Sequence, residues 1–157
     1  MEFRKINEDI TVSPQITRDD VAGIAAAGYR AIICNRPDGE GADQQSFEEI
    51  EAAAKQHGLE ARYMPVVSGK VEDSSADEFG RALRTLPGPV FAYCRTGTRS
   101  ATLWSLSQAK TMQPAEILMA ARNAGYDMAG VVRRIVNGGK TPTDTGDARF
   151  DVVVVGG

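Results

Sequence analysis

Short apolar runs alternate with amphipathic stretches along the first two thirds of the chain, and this alternation restricts the fold more than any other feature. Ile10-Thr11-Val12, Tyr29 to Cys34, Leu59 to Val67 and Pro89 to Tyr93 read as strands. Between them, Thr17-Arg18-Asp19-Asp20 caps a helix that runs to Ala27 and stops at Gly28. A second helix spans Gln45 to His57 and stops at Gly58, and a third spans Ser74 to Arg84 with Phe79 and Leu83 four apart on one face. Strands separated by helices of this length pair in parallel through right-handed crossovers, so the expected fold is α/β, a central mostly parallel sheet flanked by helices. Beyond Tyr93 the pattern turns helical, with helices expected over Ser100 to Lys110, Pro114 to Ala124 and Ala129 to Val136.

A chain of 157 residues with 42% apolar residues can bury one core. Its net charge of −3 offers no general basic field, so neither nucleic acid nor an anionic membrane is expected as a partner. No run approaches the length of a membrane span, and Met1 to Lys5 is not followed by a signal-peptide core; a cytoplasmic location is expected. Two cysteines and a single histidine, His57, make neither a disulfide framework nor a metal-ligand set, so no metal or other cofactor is expected.

Chemistry concentrates at Cys94-Arg95-Thr96-Gly97-Thr98-Arg99-Ser100. In an open α/β sheet ligands bind beyond the carboxyl ends of the strands, and Cys94 follows one. A turn from strand into helix presents successive backbone N–H groups and the positive end of a helix dipole, which together cradle an anion. Gly97 permits the torsions of a tight concave loop. A thiol at the rim, near Arg95 and Arg99, is expected to ionise more readily than a free one and to act as a nucleophile. Arg36, Asp38 and Glu40 follow a strand that should be parallel to the Cys94 strand. Arg36 is therefore a candidate substrate contact and Glu40 a candidate for orienting an arginine, although a turn held by its own Arg/Glu pair fits equally well. Cys34, at the end of the same strand, reads as a core cysteine, with a resolving thiol as the less favoured alternative.

The loop resembles that of rhodanese-type sulfurtransferases, C-R-[ST]-G-x-R-S. Together with Thr11 to Ile16, Asn35 to Glu40 and Tyr63-Met64-Pro65-Val66 it also resembles the bacterial family of beta-lactamase hydrolase-like phosphatase-like domains (DUF442), over about residues 3 to 110. The resemblance implies a fold shared with dual-specificity phosphatases and rhodanese-like proteins, and two chemistries for one cysteine.

Loop length separates them. Dual-specificity phosphatases carry C-x5-R, whereas Arg99 closes C-x4-R here and Ser100 holds the later position. Such phosphatases also place a histidine before the cysteine, where this chain has Tyr93, and a general acid after the strand corresponding to Tyr63 to Val67, where it has Val67-Ser68-Gly69. The smaller ring suits one sulfur atom better than a phosphoryl group. The expected activity is accordingly sulfur transfer from a small anionic donor through a persulfide on Cys94, with Arg99 as its charged partner. Arg95, Thr96, Gly97, Thr98, Ser100 and Arg36 are the expected anion-binding residues. The alternative is a phosphomonoester hydrolase with the same nucleophile and Asp38 or Asp73 as displaced general acid; a third reading is a non-catalytic sensing or docking module.

Residues 1–137 are expected to form this domain and 138–149 a linker. Phe150 to Gly157, with its four valines and closing glycines, looks like the truncated start of a flavoprotein Rossmann domain, so a C-terminally fused flavin-dependent oxidoreductase is an expected partner.

Overall fold

A computed structural model describes residues 3–142; the linker beyond Pro142 and the Rossmann-like start lie outside the described residues. Four strands, β2 (Ile10–Ser13), β3 (Ala31–Cys34), β4 (Glu60–Tyr63) and β5 (Val90–Tyr93), run parallel, and a two-residue β1 (Arg4–Lys5) pairs antiparallel at one edge. The spatial order is β1-β2-β5-β3-β4, which puts β5 between β2 and β3. The α/β reading and the parallel pairing hold; β1 is too short for any periodicity to mark it.

Alternation along the strands divides the core into two layers. Ile32, Cys34, Phe91 and Tyr93 pack with Ile16, Val21, Ile24 and Ile50, on the side of α1 (Val21–Ala26) and α2 (Phe47–Gln56). Val12, Ala31, Ile33, Val90 and Ala92 pack on the other side with Phe79 of α3 (Asp73–Thr85), Leu103 and Trp104 of α4 (Thr98–Ser107), Ile117 of α5 (Pro114–Asn123) and Ile135 of α6 (Val132–Val136). Every residue of β2, β3 and β5 is buried, as parallel strands covered on both faces require. No helix among the described residues is long and apolar enough to cross a membrane.

Two boundaries differ from the sequence reading for physical reasons. β4 is an edge strand, paired only with β3 and largely exposed; its regular pairing ends at Tyr63, and Pro65 falls where an N–H would face the open edge, so the ladder loses no donor there. Met64 N and Val66 N still donate to the carbonyls of Cys34 and Asn35, so the chain leaves the sheet gradually over the top of β3. At the other end the domain runs past residue 137. Gly138 N and Gly139 N close α6 on the carbonyls of Ile135 and Arg134, Lys140 pairs with Asp77, and Thr141 donates through its N–H and hydroxyl to Asp73. Residues 138–141 thus fold back onto the start of α3, where a free linker was expected.

Candidate active site

Three loops meet beyond the carboxyl ends of the central strands. Cys94 N donates to Ser13 O, Asn35 N to Tyr93 O and Gln15 N to Arg95 O, so the segments after β2, β3 and β5 are bonded to one another before any side chain contributes. The Cys94 loop is held from both sides.

Helix α4 starts at Thr98, two residues earlier than the sequence suggests, and its cap is Gly97 at φ 94°. Only glycine adopts that backbone without strain. Space imposes the same choice, since a Cβ at Gly97 would lie 2.0 Å from the hydroxyl oxygen of Tyr126, which donates to Thr96 O at 3.1 Å. Tyr126 thereby braces the loop from below. Gly97 N–H donates to Cys94 Sγ at 3.1 Å, and the N–H groups of Arg95, Thr96 and Arg99 have no partner among the described residues. Unpaired amides in the loop leading into a ten-residue helix and in its first turn make a place for anionic oxygen. Cys94 itself has no exposed surface, yet it belongs to neither apolar layer.

The charge beside the thiol is fixed by Glu40. Its carboxylate accepts from Arg99 Nη1 and Nη2 at 2.8 and 2.7 Å and from Arg36 Nε at 2.9 Å. Arg99 Nη1 also donates to Val66 O at 3.0 Å, and Arg36 Nη1 to Gln15 Oε1 at 3.0 Å. Both arginine side chains are over nine-tenths buried. The Arg99 hydrogen bonds, with Arg36 adding to them against an opposing effect of burial, lower the Glu40 pKa from its ordinary 4.5 to about 2. Glu40 in turn raises the Arg99 pKa against burial, and the neighbouring Cys94 sulfur raises it further. Two of the five guanidinium N–H donors of Arg99 remain for the sulfur and a ligand. Both readings of Glu40 hold at once, since one carboxylate braces its own turn through Arg36 and orients Arg99 across the site. Gln15 and Tyr126 escaped the sequence reading: Gln15 lies in the Thr11 to Ile16 stretch, which carried a resemblance but no assigned role, and Tyr126 lies in no motif.

A cavity of about 780 Å³ opens above this arrangement. Arg36, Arg95, Thr96, Thr98 and Arg99 line it, joined by Glu40, the turn at Ser68-Gly69, and Thr102, Val131 and Arg134. Ser100 is not in its wall; it is buried, and its hydroxyl donates to Asn35 Oδ1 at 2.8 Å, tying α4 to the loop after β3. Nor do the two proposed acids reach the cavity. Asp38 Oδ1 accepts from Phe47 N and caps α2, and Asp73 accepts from Arg134 and from Thr141, whose backbone N–H is the main reason its carboxyl is held below the ordinary value. Glu40 is the sole carboxylate among the described cavity-lining residues.

Cys34 and Tyr93 lie on the opposite face of the sheet. The Cys34 thiol donates to Arg36 O at 3.3 Å, and burial raises its pKa. The Tyr93 hydroxyl is buried beside the Cys34 thiol, with no partner of good hydrogen-bond geometry among the described residues.

The family model for the phosphatase-like domain of beta-lactamase hydrolase-like proteins matches residues 2–111. A beta-lactamase hydrolase-like protein of Xylella fastidiosa is 33% identical over 134 residues, which are 84% of this chain and 31% of that protein; the chain spans about a third of such a relative. A crystal structure of a candidate phosphatase from Neisseria meningitidis superposes with a TM-score of 0.79 at 34% identity, covering 88% of this chain and 99% of that one. The fold extends to kinase-associated phosphatase, solved with its catalytic-site cysteine replaced by serine, at a TM-score of 0.65 and 14% identity over 82% of this chain and 84% of that one. The family description and the Neisseria structure's name both point to a phosphatase-like protein, and neither to the sulfur transfer expected from loop length; the kinase-associated phosphatase shows the fold alone.

Proposed function

Because this chain belongs to the family of beta-lactamase hydrolase-like, phosphatase-like domains, we propose that it is a phosphomonoester hydrolase with Cys94 as nucleophile. In the first step the Cys94 thiolate attacks phosphorus, the S–P bond forms as the ester P–O bond breaks, and the leaving oxygen takes a proton. Water then attacks the phosphocysteine, the S–P bond breaks, and inorganic phosphate and the thiolate are released. The nonbridging oxygens would meet the unpaired N–H groups of Arg95, Thr96 and Arg99 and the Arg99 guanidinium donor left over from the sulfur. Thr98, on the same first turn, lines the cavity beside them.

The observation that carries this reading is the pairing of Gly97 N–H with Cys94 Sγ, a neighbour of the arginine that Glu40 holds bidentately. An arginine fork fixed in this way suits a tetrahedral oxyanion, which accepts paired hydrogen bonds. Proton supply is the weak element. Asp38 and Asp73 are committed elsewhere, and a Glu40 titrating near 2 is ionised at neutral pH. The leaving group therefore draws its proton from solvent, and aryl esters, whose alcohols are acidic, are the better substrates.

Turnover of 4-nitrophenyl phosphate measured beside turnover of thiosulfate with cyanide tests the reading. Release of inorganic phosphate, lost in Cys94→Ser, is expected. Thiocyanate formation without phosphate release would overturn it in favour of sulfur transfer.

A further inference from the structure

The cavity holds more positive charge than the hydrolysis of one ester requires. Arg36 and Arg99 share the Glu40 carboxylate, but two further arginines line the same space. Arg95 is exposed, and its side chain makes no hydrogen bond or ion pair among the described residues. Arg134 projects from α6, which lies beyond the family-matched region ending at residue 111. Asp73 holds it through a single hydrogen bond, from Nη2 at 2.8 Å, while its Nε is buried with no partner and its Nη1 has none among the described residues. A guanidinium four-fifths buried with donors left over is costly unless an acceptor completes it. Asp73 is itself fixed by Thr141, so the Arg134 fork is braced from behind. At about 780 Å³ the cavity matches a whole small molecule and far exceeds one phosphoryl group.

We propose that the substrate is a small phosphomonoester bearing a second oxyanion, a phosphate, and that Arg134 with Arg95 binds this second group. The proposal rests on the phosphatase reading and adds a division of labour within the cavity. The family-matched region supplies the reacting centre. The segment after it supplies, through Arg134 and Val131, the wall that selects the substrate. Were Arg134 only a tie between α6 and α3, its removal would affect all esters alike.

Phenyl phosphate, the 1,3- and 1,4-phenylene bisphosphates and the corresponding carboxyphenyl phosphates separate these cases. The full chain should turn over at least one bisphosphate with kcat/KM about tenfold or more above phenyl phosphate, the effect of one added charge-assisted pair. In Arg134→Gln that ratio should fall toward the twofold or so set by two equivalent esters, while Arg134→Lys restores part of it. Val131→Glu, which puts a negative charge into the same wall without touching the Asp73 bond, should lower the ratio as well. A preference for the carboxyphenyl esters over the bisphosphates would contradict the assignment of a phosphate. Equal kcat/KM for all esters, or a ratio unchanged in Arg134→Gln and Val131→Glu, would overturn the proposal while leaving the phosphatase reading intact. No turnover of any ester would overturn the phosphatase reading, and this inference with it.

Discussion

The carboxyl ends of β3 and β5 are neighbours in one sheet, and each delivers a cysteine, yet the two thiols meet different surroundings. Cys34 ends β3 among Ile32, Phe91 and Tyr93; its thiol donates to a carbonyl, and burial pushes its pKa up. Cys94 follows β5 by one residue, so it falls on the opposite face from Tyr93, outside both apolar layers, where it accepts an N–H from Gly97 and faces Arg99. The two are equally buried. What distinguishes them is the chain that follows. After Cys94 come the unpaired amides of Arg95 and Thr96, a glycine at positive φ and a helix whose second amide, Arg99 N–H, is unpaired; after Cys34 comes a turn that sends a carboxylate, Glu40, across to the other loop. On the proposed reading, reactivity at such a strand end is set by donors converging on the sulfur and not by exposure.

Exchanging the two thiols gives the largest contrast. Cys94→Ser should lower ester hydrolysis by about 10⁴-fold or more, as loss of a covalent nucleophile does. Cys34→Ser should leave kcat/KM within about threefold and act on stability, by roughly 1 kcal/mol in denaturant unfolding. Comparable losses in both variants would show that the β3 thiol participates.

Glu40 is the contribution of the β3 end to the β5 site, and Glu40→Gln should reduce kcat/KM by about 10²-fold, because neither Arg36 nor Arg99 is then held in register. Its titration gives a second readout. The folded pKa is depressed to about 2, so the stabilisation is complete above the ordinary value of 4.5 and is lost as pH falls toward 2. Acid unfolding curves of the wild type should carry this loss between those values, and Glu40→Gln should be flatter there. An unchanged slope would mean that the clamp contributes nothing to stability.

Gly97 and Tyr126 bear on the shape of the β5 loop. Gly97→Ala puts a methyl group against the Tyr126 hydroxyl and a side chain at φ 94°. It should lower kcat/KM about tenfold or more while far-UV dichroism stays native. Tyr126→Phe removes the hydroxyl that bonds Thr96 O, and about threefold is expected. A harmless Gly97→Ala would mean that the loop conformation described here is not the reactive one.

These contrasts also show which parts of the molecule could be read in advance. Helices and strands follow from local pattern and turn glycines such as Gly28 and Gly58, and both sit at positive φ after the helices they end. The anion loop was legible because strand, glycine and helix start are contiguous from Tyr93 to Ser100. The choice of chemistry was not. Counting residues between Cys94 and Arg99 assumes that the ring alone places the charge, whereas Glu40, Val66 and Arg36 place it from other segments. Asp38 shows the reverse: it stood as a displaced general acid, yet its carboxylate caps α2 by accepting from Phe47 N. Asp38→Asn keeps the capping oxygen and should change 4-nitrophenyl phosphate turnover by less than about twofold, the smallest effect expected among these variants. A large fall, with loss of the basic limb of the pH profile, would return Asp38 to the site.

The covalent intermediate tests the central claim most directly. Rapid quenching of the wild-type chain with 4-nitrophenyl phosphate, followed by intact-mass and peptide analysis, should reveal one phosphoryl group on Cys94 that decays on release of inorganic phosphate and is missing in Cys94→Ser. A chain that never carries phosphate at Cys94, and instead accumulates one sulfur atom there from thiosulfate, would contradict the account and identify the loop as a persulfide carrier.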